Sequence, residues 1–279
     1  MKNSANALFD AKTLLYGVFG NPVAHSLSPV MHNAAFRQMD YNGIYLAFRV
    51  ENIASGIDAV RTLNMKGVSI TIPHKIEVMS HLDELDPMAE RIGAVNTVVR
   101  RNGRLIGYNT DASGAVAALA EKTEISQKKA AVIGAGGAAR AVGFGLLSEG
   151  AHVTIINRSH EKGKALAGEL KAEFRPPEDF KSLAPEILIN TTSVGMTPNT
   201  DGMPVPADTL REGMVVMDIV YNPLATRLLK EARNRGCIAV DGVAMFVYQG
   251  AFQFELWTGR KAPILTMRST VRKALENSP

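Results

Sequence analysis

Lys75 stands in the run Thr71-Ile72-Pro73-His74-Lys75. A lysine at a strand-to-helix junction, beside a proline that fixes the chain, is placed to face a cleft. There its ammonium can polarise a carbonyl and supply a proton. An ordinary surface lysine is the competing reading. Ser26-Leu27-Ser28 holds two hydroxyls two residues apart, able to grip one carboxylate or hydroxyl of a small acid. Ser28, just before Pro29, equally suits a helix N-cap. Asn96 follows the tight stretch Gly93-Ala94-Val95, and Tyr108-Asn109-Thr110-Asp111 closes the first half. Asn and Asp there serve either as polar ligands in a cleft or as turn residues.

A second set of residues suits a dinucleotide. Gly134-Ala135-Gly136-Gly137-Ala138-Ala139 lies between a short apolar run and a helical one. The first glycine permits a tight turn, the second lets backbone approach a pyrophosphate, and the small third position lets helix and strand pack closely. Helix N–H groups then face the phosphates. About 20 residues on, an NAD site wants an acid for the ribose 2′-hydroxyl. Here Asn157-Arg158-Ser159 stands instead, with Lys162 soon after. A guanidinium can stack on adenine and bond a 2′-phosphate bidentately, so NADP fits better than NAD. A solvated surface cation is the alternative for Arg158.

The elements that must hold these groups alternate β-rich runs with helical stretches, as in a parallel α/β sheet. Strands are predicted over 14–19, 44–50, 67–72, 97–101, 104–108, 129–133, 151–156, 187–190, 215–219 and 238–241. Helices are predicted over 30–39, 53–63, from 73 onward, over 112–122, from after Ala139 to about 149, and over 161–174, 226–235, 245–258 and 267–276. Asn102-Gly103 is a hairpin turn signal. The reading is two α/β domains: a substrate-binding, catalytic domain over 1–111 with a mostly parallel sheet, and a Rossmann-type domain over 112–244. A helical segment, 245–279, returns to the first domain.

Composition narrows the class. The chain has 279 residues, 46% hydrophobic and 21% charged, which excludes a disordered chain. The net charge is only +4, with no Lys/Arg run of the kind that binds nucleic acid. The one cysteine, Cys237, forbids an intrachain disulfide and reads as a small buried hydrophobe. With no secretory h-region at the N-terminus and no apolar run of membrane-spanning length, a cytoplasmic protein is expected. The six histidines lack zinc-site spacing, so no metal is expected.

The ordered set of motifs resembles the shikimate dehydrogenase family over roughly residues 16–257. It comprises Ser-x-Ser-Pro at 26–29, Thr-x-Pro-x-Lys at 71–75, Gly-Ala-Val-Asn-Thr at 93–97, Asn-Thr-Asp at 109–111 and Gly-Ala-Gly-Gly-Ala at 134–138. Asn-Arg-Ser at 157–159, Asn-x-Thr-Ser-x-Gly-Met at 190–196, Asp-Gly at 241–242 and Gln249 complete it. The resemblance implies reversible NADP-dependent reduction of 3-dehydroshikimate to shikimate, within aromatic amino-acid biosynthesis. By position it implies that Ser26 and Ser28 bind the substrate carboxylate. Thr71, Asn96, Asp111 and Gln249 bind its hydroxyls and reacting oxygen. Lys75 with Asp111 is the acid–base pair, and Tyr221 is a substrate-site tyrosine. Ile219 and Gly242 line the nicotinamide side, and Thr192 and Ser193 lie close to the dinucleotide.

Three positions depart from the family pattern. Ser69 stands where Asn is common and cannot make the same amide contacts, so the pocket differs locally. Tyr108 stands where Asp is frequent, with its side chain expected to point away from substrate. Lys162 replaces a frequent Arg, keeping the charge and losing the bidentate geometry. The competing readings are an NAD-linked quinate/shikimate dehydrogenase and a non-catalytic metabolite sensor of the same fold. The partner expected is a small molecule, with the chain a monomer or homodimer.

Overall fold

The structure, a computed structural model, describes residues 9–277. The first eight residues of the N-terminal segment, read above as free of a secretory signal, lie outside the described residues. The chain forms two units, Met1–Asn109 with Gln253–Val271, and Thr110–Phe252 with Arg272–Pro279.

The first unit runs β1 (Leu14–Gly20), α1 (Ser28–Gln38), β2 (Gly43–Arg49), α2 (Ile53–Thr62), β3 (Gly67–Ile70), β4 (Glu84–Leu85), α3 (Pro87–Ile92), β5 (Thr97–Arg101) and β6 (Arg104–Tyr108). They make one sheet in the order β2-β1-β3-β5-β6-β4. β1 is parallel to β2 and β3, and β4 to β6, whereas β5 runs antiparallel to β3 and β6. β1 shows why the sheet is buried on both faces, since successive side chains point to opposite sides. Phe19 joins Ile53, Ile57, Val60 and Val68 on one side. Tyr16, from the other set, packs its ring 5.1 Å from Phe36 and 5.4 Å from Trp257. Asn52 and Asp86 start α2 and α3 by accepting backbone N–H groups, at Ser55 and Met88.

The second unit runs α4 (Thr110–Ala120), β7 (Lys129–Ile133), α5 (Gly137–Ser148), β8 (His152–Ile156), α6 (His160–Leu170), β9 (Glu173–Arg175), α7 (Phe180–Leu183), β10 (Ile187–Asn190), β11 (Val215–Asp218), α8 (Arg227–Asn234) and β12 (Ile238–Val240). Two further helices, α9 (Gly242–Thr258) and α10 (Ile264–Glu276), cross the division between the units. The six strands are all parallel, in the order β12-β11-β10-β7-β8-β9. That is the doubly wound order, whose ligand crevice lies beyond the strand C-termini where the order reverses, at β7 and β10. β7 explains its own continuous apolar run. Ala130 and Val132 pack with Leu146, Ile155 and Met217, while Ala131 and Ile133 pack with Leu188, Val216 and Leu229.

Several local expectations are corrected. No helix starts at Pro73: residues 72–76 form turns, followed by a short 3-10 helix at Glu77–His81. Phe174 lies in β9, not in the preceding helix, which stops at Leu170 with Lys171 left-handed. β4, α3 and α7 were not predicted; they span only two to six residues, too few to show a period.

Candidate active site

In the first unit Thr71, Lys75 and Asn96 gather where β3 leaves the sheet and β5 enters it. Ser28 is not the N-cap of α1. Leu27 occupies that position without a side-chain cap, and Ser28 lies in the first turn, beside Pro29. The Ser28 backbone N–H donates instead to Ser26 Oγ at 3.3 Å, so the two serines are locked as neighbours. Thr71 follows β3, its N–H bonded to the Phe19 carbonyl at 2.9 Å. Lys75, half-buried, sits in the turn after it. The Lys75 carbonyl accepts the Val95 N–H at 2.8 Å, and the Asn96 carbonyl accepts the Ile70 N–H at 2.8 Å. Backbone bonds therefore tie the Thr71–Lys75 segment to Asn96. His74 is buried, with Nε2 2.7 Å from the Val50 carbonyl, which anchors the turn carrying Lys75.

Behind these residues lies a buried polar chain. Tyr45 donates to Ser69 Oγ at 2.6 Å, and Ser69 donates to Gln253 Oε1 at 2.9 Å. Gln253 Nε2 donates to the Asn96 carbonyl at 3.3 Å and to Thr97 Oγ1 at 3.0 Å, and Thr97 donates to Asn96 Oδ1 at 2.7 Å. His32 Nε2 lies 3.3 Å from Gln253 Oε1, its ring stacked on Tyr45. Burial pushes the His32 imidazole down to about 3, so it is neutral, and pushes the Tyr45 phenol up. Ser69 is thus spent inward on Tyr45 and Gln253. Tyr45, His32 and Gln253 were missed from sequence; the one signal was a glutamine flanked by Phe252 and Phe254 in an apolar helix.

In the second unit, Asp111 lies in the first turn of α4. One turn on, Gly114 lets α9 approach so closely that a Cβ there would sit 2.9 Å from Gln249 Cβ. Asp111 and Gln249 thus share one crossing of helices. Gln249 Nε2 donates to the Phe246 carbonyl at 2.9 Å, and Tyr221 packs its ring 5.1 Å from Phe246. Burial raises the Tyr221 phenol, so it is a neutral hydroxyl. Gly242 opens α9 against the Ile219 carbonyl.

The Gly134–Ala138 loop leaves β7 and enters α5. Gly134 has φ +121, a value that favours glycine, and a Cβ there would lie 2.6 Å from Thr191 Oγ1. Gly136, the N-cap of α5, provides no side-chain cap. A Cβ at Gly136 or Gly137 would meet nothing within 4 Å, so space lies open before the helix N–H groups. This fits a pyrophosphate. The Gly134 N–H bonds to the Ile156 carbonyl at 2.8 Å, which sets the loop beside Asn157–Ser159. Asn157 donates to the Ser159 carbonyl, and Ser159 caps α6. Arg158 and Lys162 are exposed, and neither side chain makes an ion pair among the described residues. Thr192 bonds Asn190 Oδ1 at 2.7 Å, bracing the loop in which Ser193 is exposed.

A buried carboxylate at the end of β11 was also missed. Asp218 accepts from Asn190 Nδ2 at 3.0 Å, the Val220 N–H at 3.1 Å and Thr226 Oγ1 at 2.7 Å. Desolvation raises its pKa despite these donors. It ties together the two strand ends that carry Thr192 and Ile219.

Three family models match the chain: the shikimate dehydrogenase substrate-binding domain over residues 18–98, shikimate/quinate 5-dehydrogenase over 117–221, and the shikimate 5'-dehydrogenase C-terminal domain over 242–272. A shikimate dehydrogenase (NADP(+)) from Geobacillus sp. (strain WCH70) is 50% identical over 94% of this chain and 98% of its own. The chain belongs to the shikimate dehydrogenase family. A Methanosarcina acetivorans shikimate dehydrogenase (NADP(+)) is 49% identical over 94% of this chain and 99% of its own. The shikimate 5-dehydrogenase of Thermus thermophilus, solved with NADP(H) and shikimate, superposes with a TM-score of 0.89. It is 40% identical and covers 94% of this chain and 100% of that one. Within the shikimate dehydrogenase scheme, Ser26, Ser28, Thr71, Lys75 and Asn96 fall in the substrate-binding model. The Gly134 loop, Arg158 and Thr192 fall in the central one.

Proposed function

We propose that the chain interconverts 3-dehydroshikimate and shikimate with NADP as cofactor. The reading is carried by the edge of the first unit where backbone bonds tie the Thr71–Lys75 segment to Asn96, with Ser26 and Ser28 joined to each other in the same unit. Bound NADPH supplies the hydride. The Gly134–Ala138 loop receives the pyrophosphate on the α5 N-terminus, and Arg158 and Lys162 neutralise the 2′-phosphate. Ser26 and Ser28 bind the carboxylate. Thr71, Asn96, Tyr221 and Gln249 bind the ring hydroxyls, which rejects analogues that leave these groups unpaired. Lys75 holds its ammonium on the carbonyl oxygen and gives it the proton as that oxygen gains charge. Lys75 is left as a neutral amine. Asp111 is the second member of the acid–base pair that the family resemblance implies.

The test is shikimate oxidation followed by NADPH absorbance, with NADP and NAD in parallel and with quinate as second substrate. Turnover restricted to NADP and shikimate is expected. Lys75→Ala lowers kcat by about 10²–10⁴ while shikimate binding persists. Full turnover in that variant removes Lys75 from the chemistry. Equal use of NAD or quinate refutes the specificity argument, and no turnover with any pair favours a sensor.

A further inference from the structure

The buried polar chain behind the substrate edge has a direction, and one side chain sets it. The Asn96 carbonyl can only accept, so the Gln253 group facing it must be the amide Nε2, and Oε1 must face Ser69. Ser69 has one proton and gives it to Oε1, so it accepts from Tyr45. On the other arm, Thr97 Oγ1 accepts from Gln253 and gives its proton to Asn96 Oδ1. That fixes which face of the Asn96 carboxamide is oxygen and which is amine. The members are enclosed: Tyr45 is 0% exposed, Gln253 1%, Asn96 2% and Thr97 0%. A reversed Asn96 would turn its amine toward the Thr97 hydroxyl proton and set two donors against each other.

We propose that Gln253 is a positioning residue for shikimate. Acting through Thr97, it holds Asn96 with its amine outward, as a donor to a substrate hydroxyl. Through Ser69 it fixes the hydroxyl pattern behind the same edge. The Ser69–Gln253 pair thereby furnishes, from two elements, a carboxamide in the wall behind the site. The inference rests on the reading of Asn96 as a substrate ligand.

The experiment compares Gln253→Met, Thr97→Val, Thr97→Ser and the Gln253→Met/Thr97→Val double variant in steady-state shikimate oxidation. NADPH binding verifies that each variant is folded. Gln253→Met and Thr97→Val should each raise the shikimate KM at least about fivefold, with the NADP KM changed less than about twofold. Thr97→Ser, which keeps the hydroxyl, should stay near wild type. The double variant should do no worse than the more severe single, because both act on one chain. An unchanged shikimate KM in folded Gln253→Met, or multiplicative losses in the double variant, overturns the proposal. If Gln253→Met does not fold, Thr97→Val against Thr97→Ser decides, and equal shikimate KM values overturn it. Asn96→Ala separates the two readings. If it leaves the shikimate KM untouched, the assignment of Asn96 to substrate has failed. If it raises KM and Gln253→Met does not, only the positioning role has failed.

Discussion

Replacing Asp218 by alanine should destabilise the protein by about 3–5 kcal/mol. Its carboxylate receives the Asn190 amide, the Val220 N–H and the Thr226 hydroxyl at the ends of β10 and β11, and it is fully buried. Asn190 keeps a second acceptor in the Val194 carbonyl, and the Thr226 oxygen still receives the Leu229 N–H. The Val220 N–H keeps nothing. A buried group left without its partner costs about 1–3 kcal/mol, so three weakened donors, two of them partly compensated, give the range stated. Asp218→Asn should cost only about 1 kcal/mol, because its oxygen serves Asn190 and Val220 while its amine faces Thr226 Oγ1. Urea unfolding followed by far-UV circular dichroism at neutral pH reads both. The pH dependence gives a second check. Burial raises the Asp218 pKa above its ordinary 3.8, so the folded state holds the proton more tightly than the unfolded chain. The stability tied to that proton is greatest below pH 3.8 and is lost as pH rises through the folded value. The asparagine variant has no such loss, so the stability difference should move in favour of Asp218→Asn as pH rises from acid to neutral. An alanine variant within about 1 kcal/mol of wild type, or an asparagine variant as unstable as alanine, would refute the reasoning.

Arg158→Ala should raise the NADP KM about tenfold and leave the NAD KM unchanged, because an exposed guanidinium with no partner to release contributes only its phosphate contact. Gly67→Ala would place a Cβ 2.1 Å from Trp257 Nε1 and break the indole bond to the Val98 carbonyl. A loss of about 1–3 kcal/mol is expected, with a red shift in the emission of the single tryptophan. Burial holds the His32 imidazole near about 3, against its ordinary 6.5. The unfolded chain therefore binds the extra proton, and stability should fall by about 1.4 kcal/mol per pH unit from this group as pH drops below 6.5. Acid unfolding of His32→Gln should be correspondingly flatter.

The long alternation of apolar runs was legible because each fully buried strand, such as Lys129–Ile133 or Ile187–Asn190, reads as a short hydrophobic block between turn residues. The Gly134 loop was legible because its backbone demands leave few other residue types possible. Lys75 was legible as a candidate while its setting was not. Proline at 73 suggested a helix start, yet the Lys75 carbonyl is taken by Val95, a partner twenty residues away that no local window contains. The same limit hid Tyr45 and Gln253, which are ordinary in their own segments. Their meaning comes from hydrogen bonds spanning 24 and 184 residues. Ser69 shows the cost of arguing from one position, since its shortness matters only together with the longer amide that meets it.

The reversal of β5 has a practical consequence. Because β5 starts at the substrate edge and β6 returns to it, the turn between them, Asn102 at φ 52 and Gly103 at φ 79, lies at the far end of both strands. Both residues are exposed, and a Cβ at Gly103 would meet nothing within 4 Å. Loop tips of this kind accept inserted sequence when their backbone is exposed and bonded only within the turn. The hairpin tip is therefore where an affinity tag, a fluorescent-label cysteine or a surface-immobilisation handle can enter the first unit. The strand roots that carry Asn96 and Tyr108 would stay undisturbed, a full strand length from the graft.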